Sequence, residues 1–387
     1  RLNRRDMIKA GLLTSAGYLI QKNGLSARAQ FGGGGSFGSD CDRRWYDGSG
    51  GNGTPVSPPT TPFVEPLPIP PIAQSVASLS PAPTVNPNTT AGEARTRPHQ
   101  ALTTLPPQKF YEVHQREQLI SMHPDLPLQR LWTFNGFVPG PTYVARYGEP
   151  ILVRNFNDLP NDNGGFGLQS VSTHLHNGHT PSESDGFPCD FFGQNKWYDQ
   201  HYPNVLAGFA SSHPPNGDIN EAMSTLWYHD HRVDFTSQNV YKGLAGFYLL
   251  FNQFDTGDET TGFRLPSFPQ FDIPMMFNDK NFDPDDGLLA FDLANRDGIL
   301  GDKFLVNGKI QPFFEVKRRR YRFRWLNGGP SRFYRMYLTK SDLTNHPFWI
   351  ISNDGNLLKN PVQTTSGLMI AVAERMDVIV DFSSFPA

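Results

Sequence analysis

Two short histidine pairs carry the residues best suited to chemistry: Thr173-His174-Leu175-His176-Asn177-Gly178 and Trp227-Tyr228-His229-Asp230-His231. In each, two imidazoles lie two residues apart. On a β-strand that spacing puts both side chains on one face, roughly 6–7 Å apart. This is wide for a single ion held by both rings and suits two neighbouring metal ions. Neutral imidazole is a common ligand for copper, zinc, iron and nickel. One His-x-His alone would read as a pair of surface histidines. Here two pairs hold four of the 11 histidines, framed by aromatic residues and glycine rather than a polar tail. The pattern predicts a metal site. No Glu or Asp stands at the spacing of a zinc hydrolase's general base, so that class is the weaker reading. Cys41 and Cys189, the 2 cysteines, lack the nearby His and Met that a blue-copper thiolate requires, and both read as structural or incidental.

The elements that must position these residues look like strands. The 387 residues suffice for two core-bearing domains and tails. With 30 Phe, 36 Gly, 34 Pro and only 18% charged residues, the composition fits a loop-rich β protein with an aromatic core. A net charge of −3 and a pI near 6.4 argue against nucleic acid or an acidic membrane surface as the main partner.

The first residue is Arg1, so the true start is expected to lie upstream. Asn3-Arg4-Arg5-Asp6-Met7-Ile8-Lys9, a short apolar run over residues 10–20 and Ala27-Arg28-Ala29 read as a twin-arginine export signal spanning residues 1–29. The alternative is a cytoplasmic amphipathic helix. Export predicts a periplasmic or secreted protein, and the run is too short for a permanent membrane anchor. Residues 30–104, rich in Gly and Pro, read as a flexible, disordered linker without chemistry of its own.

From residue 105 the grammar changes. Lys109-Phe110-Tyr111-Glu112-Val113-His114 and Leu131-Trp132-Thr133-Phe134 alternate like strands. Asn135-Gly136-Phe137-Val138-Pro139-Gly140-Pro141 is a dense turn signal. Short strands at this pitch predict a β-sandwich over residues 105–255, with the first histidine pair on a strand entering a loop and the second at a strand's end. A polar, Gly-rich boundary follows, and residues 265–387 repeat the pattern. Tyr321-Arg322-Phe323-Arg324-Trp325-Leu326-Asn327 alternates strictly, aromatics on one face and arginines on the other. His346, beside Pro347 in a loop, reads as a surface residue, and this second domain looks structural.

The ordered set of motifs resembles the multicopper oxidases, in wording nearest to the bacterial spore-coat laccase and bilirubin oxidase branch. The stretches that carry the resemblance are residues 135–142, 173–178, 184–188, 226–231, 239–246, 304–308, 321–327 and 374–382. The resemblance implies an all-β fold of consecutive cupredoxin-like Greek-key sandwiches, of which two are present after the disordered N-terminal region. It implies copper as cofactor, with His174 on a type 2 ion and His176, His229 and His231 on a type 3 pair. Asp185 matches an acidic residue the family uses for proton delivery near the cluster. Its alternative is a turn-forming Asp before Gly186. Asp230 is expected on the opposite strand face, supporting rather than ligating.

The family's third domain supplies the type 1 copper and the other cluster histidines through His-x-x-His-x-His and His-Cys-His motifs. Neither occurs in this sequence, and truncation is the expectation. The function implied is one-electron oxidation of phenolic, aryl amine, bilirubin-like or metal-ion donors coupled to reduction of O₂ to water, with this chain inactive alone. The alternative is a non-catalytic exported copper-binding or structural protein of the same fold.

Overall fold

The computed structural model describes residues 57–211, 215–293 and 298–385. The export signal expected at residues 1–29, Cys41 and the first part of the linker lie outside the described residues. Strand follows strand where the sequence alternates: β1 (Lys109–Ile120), β2 (Gln129–Phe134), β3 (Gly140–Arg146), β4 (Ile151–Asn157), β5 (Thr173–His176), β6 (Trp197–Tyr202) and β7 (Thr225–Asp230). A six-residue helix, α1 (Thr236–Tyr241), then leads into β8 (Ala245–Phe251). These strands make two four-stranded sheets, β2-β1-β4-β6 and β3-β8-β7-β5. The sheets enclose one core that includes Trp132, Phe134, Tyr143, Val153, Leu226, Tyr228 and Tyr248. Burying such aromatic side chains supplies roughly 1.5–3 kcal/mol each, and this is the main force holding the sheets face to face.

The second sandwich comprises β9 (Asp272–Phe282), β10 (Leu289–Ala290), β11 (Lys303–Val306), β12 (Lys309–Ile310), β13 (Arg320–Asn327), β14 (Tyr334–Met336), β15 (Phe348–Asn353), β16 (Asn356–Thr364), β17 (Leu368–Ile370) and β18 (Arg375–Asp381). Its large sheet runs β12-β11-β9-β13-β18-β15-β16, with β10 paired to β9, and β14 pairs with β17 alone. Strict alternation on β13 sends Tyr321, Phe323 and Trp325 into this core. The arginine face does not meet water. Arg322 and Arg324 are 0% exposed and ion-pair with Asp255, Asp272 and Asp377 where the two sandwiches meet. Ser224 and Thr225, at the start of β7, donate to or accept from this network.

The linker reading fails from Ser57 onward. Ser57 N donates to Asp302 Oδ2 at 2.8 Å, and Leu67 and Leu79 are buried. Residues 71–73 run beside β3, the edge strand of its sheet: Ala73 N donates to Thr142 O at 2.9 Å and Thr142 N to Pro71 O at 2.7 Å. Proline biases its neighbours towards extended backbone, so a Pro-rich strap suits an edge even though it cannot build a core of its own. His346 is half-buried, its Nε2 3.0 Å from Asp381 O. Among the described residues no helix is long and apolar enough to cross a membrane.

Candidate metal centre

β5 and β7 pair antiparallel with His174 opposite His229, His176 opposite Trp227 and Thr173 opposite Asp230. The pairing runs one step further, with His231 N donating to Ser172 O at 2.7 Å. Because side chains alternate, this register puts all four histidines on the outer face of the sheet, while Leu175 and Tyr228 point into the core. A shift of one strand by one residue would turn its imidazoles inward and separate the two pairs.

The rings converge. Centroids lie 5.5 Å apart for His174 and His176, 5.4 Å for His174 and His229, 5.1 Å for His174 and His231, and 5.4 Å for His229 and His231. The within-pair separations are shorter than the strand spacing predicts. Ligand nitrogens of His174, His176 and His229 all fall within 4.8 Å of one another, the one such three-ligand group among the described residues.

Hydrogen bonds fix which nitrogens are available. A carbonyl only accepts, so the Nδ1–H of His174 donates to Asp185 O at 2.6 Å and that of His229 to Asp230 O at 2.8 Å. Thr236 Oγ1 donates to Arg232 O, which leaves it to accept from His231 Nδ1 at 3.2 Å. In all three rings Nε2 keeps its lone pair. His176 is turned the other way, with Nδ1 3.2 Å from His229 Nε2. Burial pushes the pKa of His229 well below the ordinary imidazole value. Burial, with the Arg375 guanidinium and the neighbouring rings, lowers His176 to about 3, and burial lowers His231. These rings are therefore neutral near pH 7, the form that binds metal.

Surrounding residues hold this geometry. Trp227 is 4% exposed and stacks on His229 with centroids 4.1 Å apart. It belongs to a buried cluster that also holds Met276 and Leu326 of the second sandwich, so the histidine face is continuous with the contact between sandwiches. Asp230 points away from the rings, as its place between two histidines predicts. It is fully buried and accepts from Ser172 N, Arg232 N and Asn239 Nδ2, and burial raises its pKa to about 7. Asp185 sits over His174. Its Oδ2 is 3.6 Å from His174 Nδ1, Thr180 Oγ1 donates to Oδ1 at 3.2 Å, and the carboxylate is 40% exposed. Gly186 lets that loop lie on β5: with φ at +78°, any Cβ there would stand 2.0 Å from Thr173 O. From behind, Tyr198 donates to Glu183 O at 2.7 Å and His201 N to Ser184 Oγ at 2.9 Å.

The structure thus brings together His174, His176, His229, His231 and Asp185. Cys189 is exposed and outside the three-ligand group. Sequence reasoning overlooked Thr236, which orients His231, and Arg375, whose Nη2 donates to Asn177 Oδ1 at 2.7 Å beside His176. Arg375 lies nearly 200 residues from the ring it serves, and no periodicity connects them.

Similarity to known proteins bears on what the site is. No model of a known protein family matches the chain. A laccase of Bacillus stratosphericus is 36% identical over 305 residues, covering 72% of this chain and 56% of that protein. A bilirubin oxidase of Albifimbria verrucaria is 32% identical over 333 residues, covering 85% of this chain and 50% of that protein. The crystal structure of a laccase from Pediococcus acidilactici superposes with a TM-score of 0.63 at 22% identity, over 87% of this chain and 60% of that one, which supports the fold. The chain spans about half the length of the curated relatives it matches. The likeness in sequence and the shared arrangement of cupredoxin-like sandwiches agree: this chain belongs to the multicopper oxidase family.

Proposed function

We propose that the two histidine pairs are part of a copper cluster, and that the protein is a laccase-like oxidase coupling oxidation of small electron-rich donors to reduction of O₂ to water. The observation that carries this reading is the convergence of four imidazoles, three of which keep Nε2 lone pairs to give. Their chemistry fits copper, for which imidazole is a good ligand. Following the motif positions, His174 would hold the type 2 ion and His176, His229 and His231 the type 3 pair. When bound, copper supplies one-electron redox chemistry. Donors would be phenols, aryl amines, bilirubin-like pigments or metal ions.

The chain's own residues do the rest. Backbone carbonyls of Asp185 and Asp230 hold the rings of His174 and His229 in the ligating tautomer. Reducing O₂ to two waters consumes four protons with four electrons, and the half-exposed Asp185 carboxylate lies between solvent and His174. It can take a proton from water at Oδ2 and hand it inward. Residues 1–29 would direct export through the twin-arginine route. The double change Arg4→Lys with Arg5→Lys should then leave the protein in the cytoplasm.

Copper titration of the 387-residue chain tests the site. The chain should bind Cu(II), and the double variant His174→Ala with His229→Ala should lose that binding. Equal binding by the two proteins removes the metal reading. A blue band or O₂ uptake by this chain alone would show that a type 1 centre is not needed from elsewhere. In any preparation that takes up O₂, Asp185→Asn should slow uptake about 10²–10⁴-fold at unchanged copper content. Unchanged uptake would remove Asp185 from the proton path.

A further inference from the structure

We propose that Arg375, from the second sandwich, is a positioning residue for the metal centre: it locks Asn177 and thereby aims His176. The inference rests on the histidines being metal ligands. Arg375 opens β18, and its side chain is 1% exposed. All five of its guanidinium hydrogens have acceptors: Nε–H points to Thr225 O at 3.2 Å, Nη1 to Asp354 Oδ1 at 3.1 Å and Ala373 O at 3.0 Å, and Nη2 to Asn177 Oδ1 at 2.7 Å and Asp354 O at 3.0 Å.

Two of those acceptors belong to the first sandwich, one directly after a histidine-bearing strand and one at the start of the other. Asn177 directly follows His176 at the end of β5, and Thr225 starts β7, which carries His229. One planar guanidinium therefore ties the two strands together and to the second sandwich. Asn177 is where such a tie controls ring direction. Its φ of +64° is where β5 breaks off, so the backbone there no longer benefits from ladder pairing. Beyond the pairing of His176 with Trp227 and the turn bond from Gly178 N to Leu175 O at 3.0 Å, the bond from Arg375 is the side-chain tie at the end of this strand. That strand sets the His176 ring, the ring presenting Nδ1 instead of Nε2. The second sandwich contributes no residue to the three-ligand group, yet it reaches that group through this contact.

The full chain tests this with Asn177→Gly and Arg375→Lys, using Cu(II) against a competing chelator. Glycine adopts φ of +64° freely, and Asn177 is an exposed residue, so the first variant removes the acceptor with the fold retained. Lysine keeps the charge but cannot serve five acceptors in one plane. Each variant should bind Cu(II) about 10–100-fold more weakly, with an altered paramagnetic resonance spectrum of the bound ion. Wild-type affinity and spectrum in Asn177→Gly would overturn the inference. So would full rescue by Arg375→Lys, which would leave only a charge effect. A second readout needs no metal: in imidazole ¹⁵N spectra of the apo chain, His176 signals should shift or broaden in both variants while those of His231 stay. If wild type binds no Cu(II) but His176 moves, the metal reading fails and the positioning stands. If His176 does not move, the positioning fails.

Discussion

Replacing Arg322 by Met should destabilise the protein more than replacing Asp377 by Asn, and the order follows from a count of buried charge. Arg322 and Arg324 meet Asp255, Asp272 and Asp377 in a network whose side chains are all 0–1% exposed. Two guanidiniums face three carboxylates. Arg322 Nη1 donates to both Asp255 oxygens at 3.0 and 2.8 Å, and its Nε to Asp377 Oδ2 at 3.2 Å. Arg324 Nε and Nη2 pair with Asp272 at 2.8 and 2.6 Å, and Thr225 Oγ1 donates to Asp377 Oδ1 at 2.8 Å. Burial alone would raise the Asp377 pKa, but the Arg322 and Arg324 guanidiniums outweigh it and hold the carboxyl below its usual range.

Removing Arg322 leaves three carboxylates with one cation and strips Asp255 of its guanidinium. Breaking a buried pair from one side costs about 3–5 kcal/mol. Asp377→Asn balances the charges and keeps an acceptor for Thr225, so the loss is that of charge-assisted hydrogen bonds, about 1–2 kcal/mol. With a urea m-value of about 2–3 kcal/mol per molar, the midpoint should fall by roughly 1–2.5 M for Arg322→Met and by about 1 M or less for Asp377→Asn. Tryptophan fluorescence follows the transition, since Trp325 lies in the second core and Trp227 at the contact between sandwiches. Equal shifts, or a larger one for Asp377→Asn, would refute the charge count.

Three further outcomes are expected. Lowered folded pKa values for His176, to about 3, and His229 mean the folded chain sheds protons that the unfolded chain keeps. Their stabilisation is complete above pH ~6.5 and is lost as pH falls below it, so His229→Asn should flatten the decline of apo-protein stability between pH ~6.5 and ~5, measured by urea unfolding. Gly186→Ala forces a Cβ to within 2.6 Å of His174 Cα at a φ of +78°. It should cost about 2–4 kcal/mol in thermal unfolding and weaken Cu(II) binding, and a neutral result would mean the loop can lift off β5. Trp227→Ala empties a site 4% exposed and removes the ring stacked on His229. A loss of about 3–5 kcal/mol in denaturant titration is expected, and a loss below ~1 kcal/mol would show that the stack bears no load.

The strands around the site were legible because they depend on short-range periodicity. Lys109-Phe110-Tyr111-Glu112-Val113-His114 begins β1, Leu131-Trp132-Thr133-Phe134 lies in β2, and Thr173-His174-Leu175-His176 is β5. The residues from Ser57 that lie first along the second sandwich and then along β3 of the first were misread. Composition reports what a segment can bury by itself and is silent on an edge strand such as β3 that offers it hydrogen bonds. Likewise the arginines of β13 alternated plainly, but only packing against Ser224 and Thr225 shows that their face is buried.

That His174 and His176 share a face, as do His229 and His231, follows from the residues alone, because a strand's two-residue repeat is a property of the backbone. The same repeat sets Asp230 on the opposite face. The folding of distant segments together brings the two pairs to one place, with His174 opposite His229. It also decides which nitrogen each ring presents, through Asp185 O, Asp230 O and Thr236, and that Arg375 of another sandwich holds the end of β5. These last facts depend on register and on contacts between distant segments, which the burial of two cores fixes and no local pattern encodes.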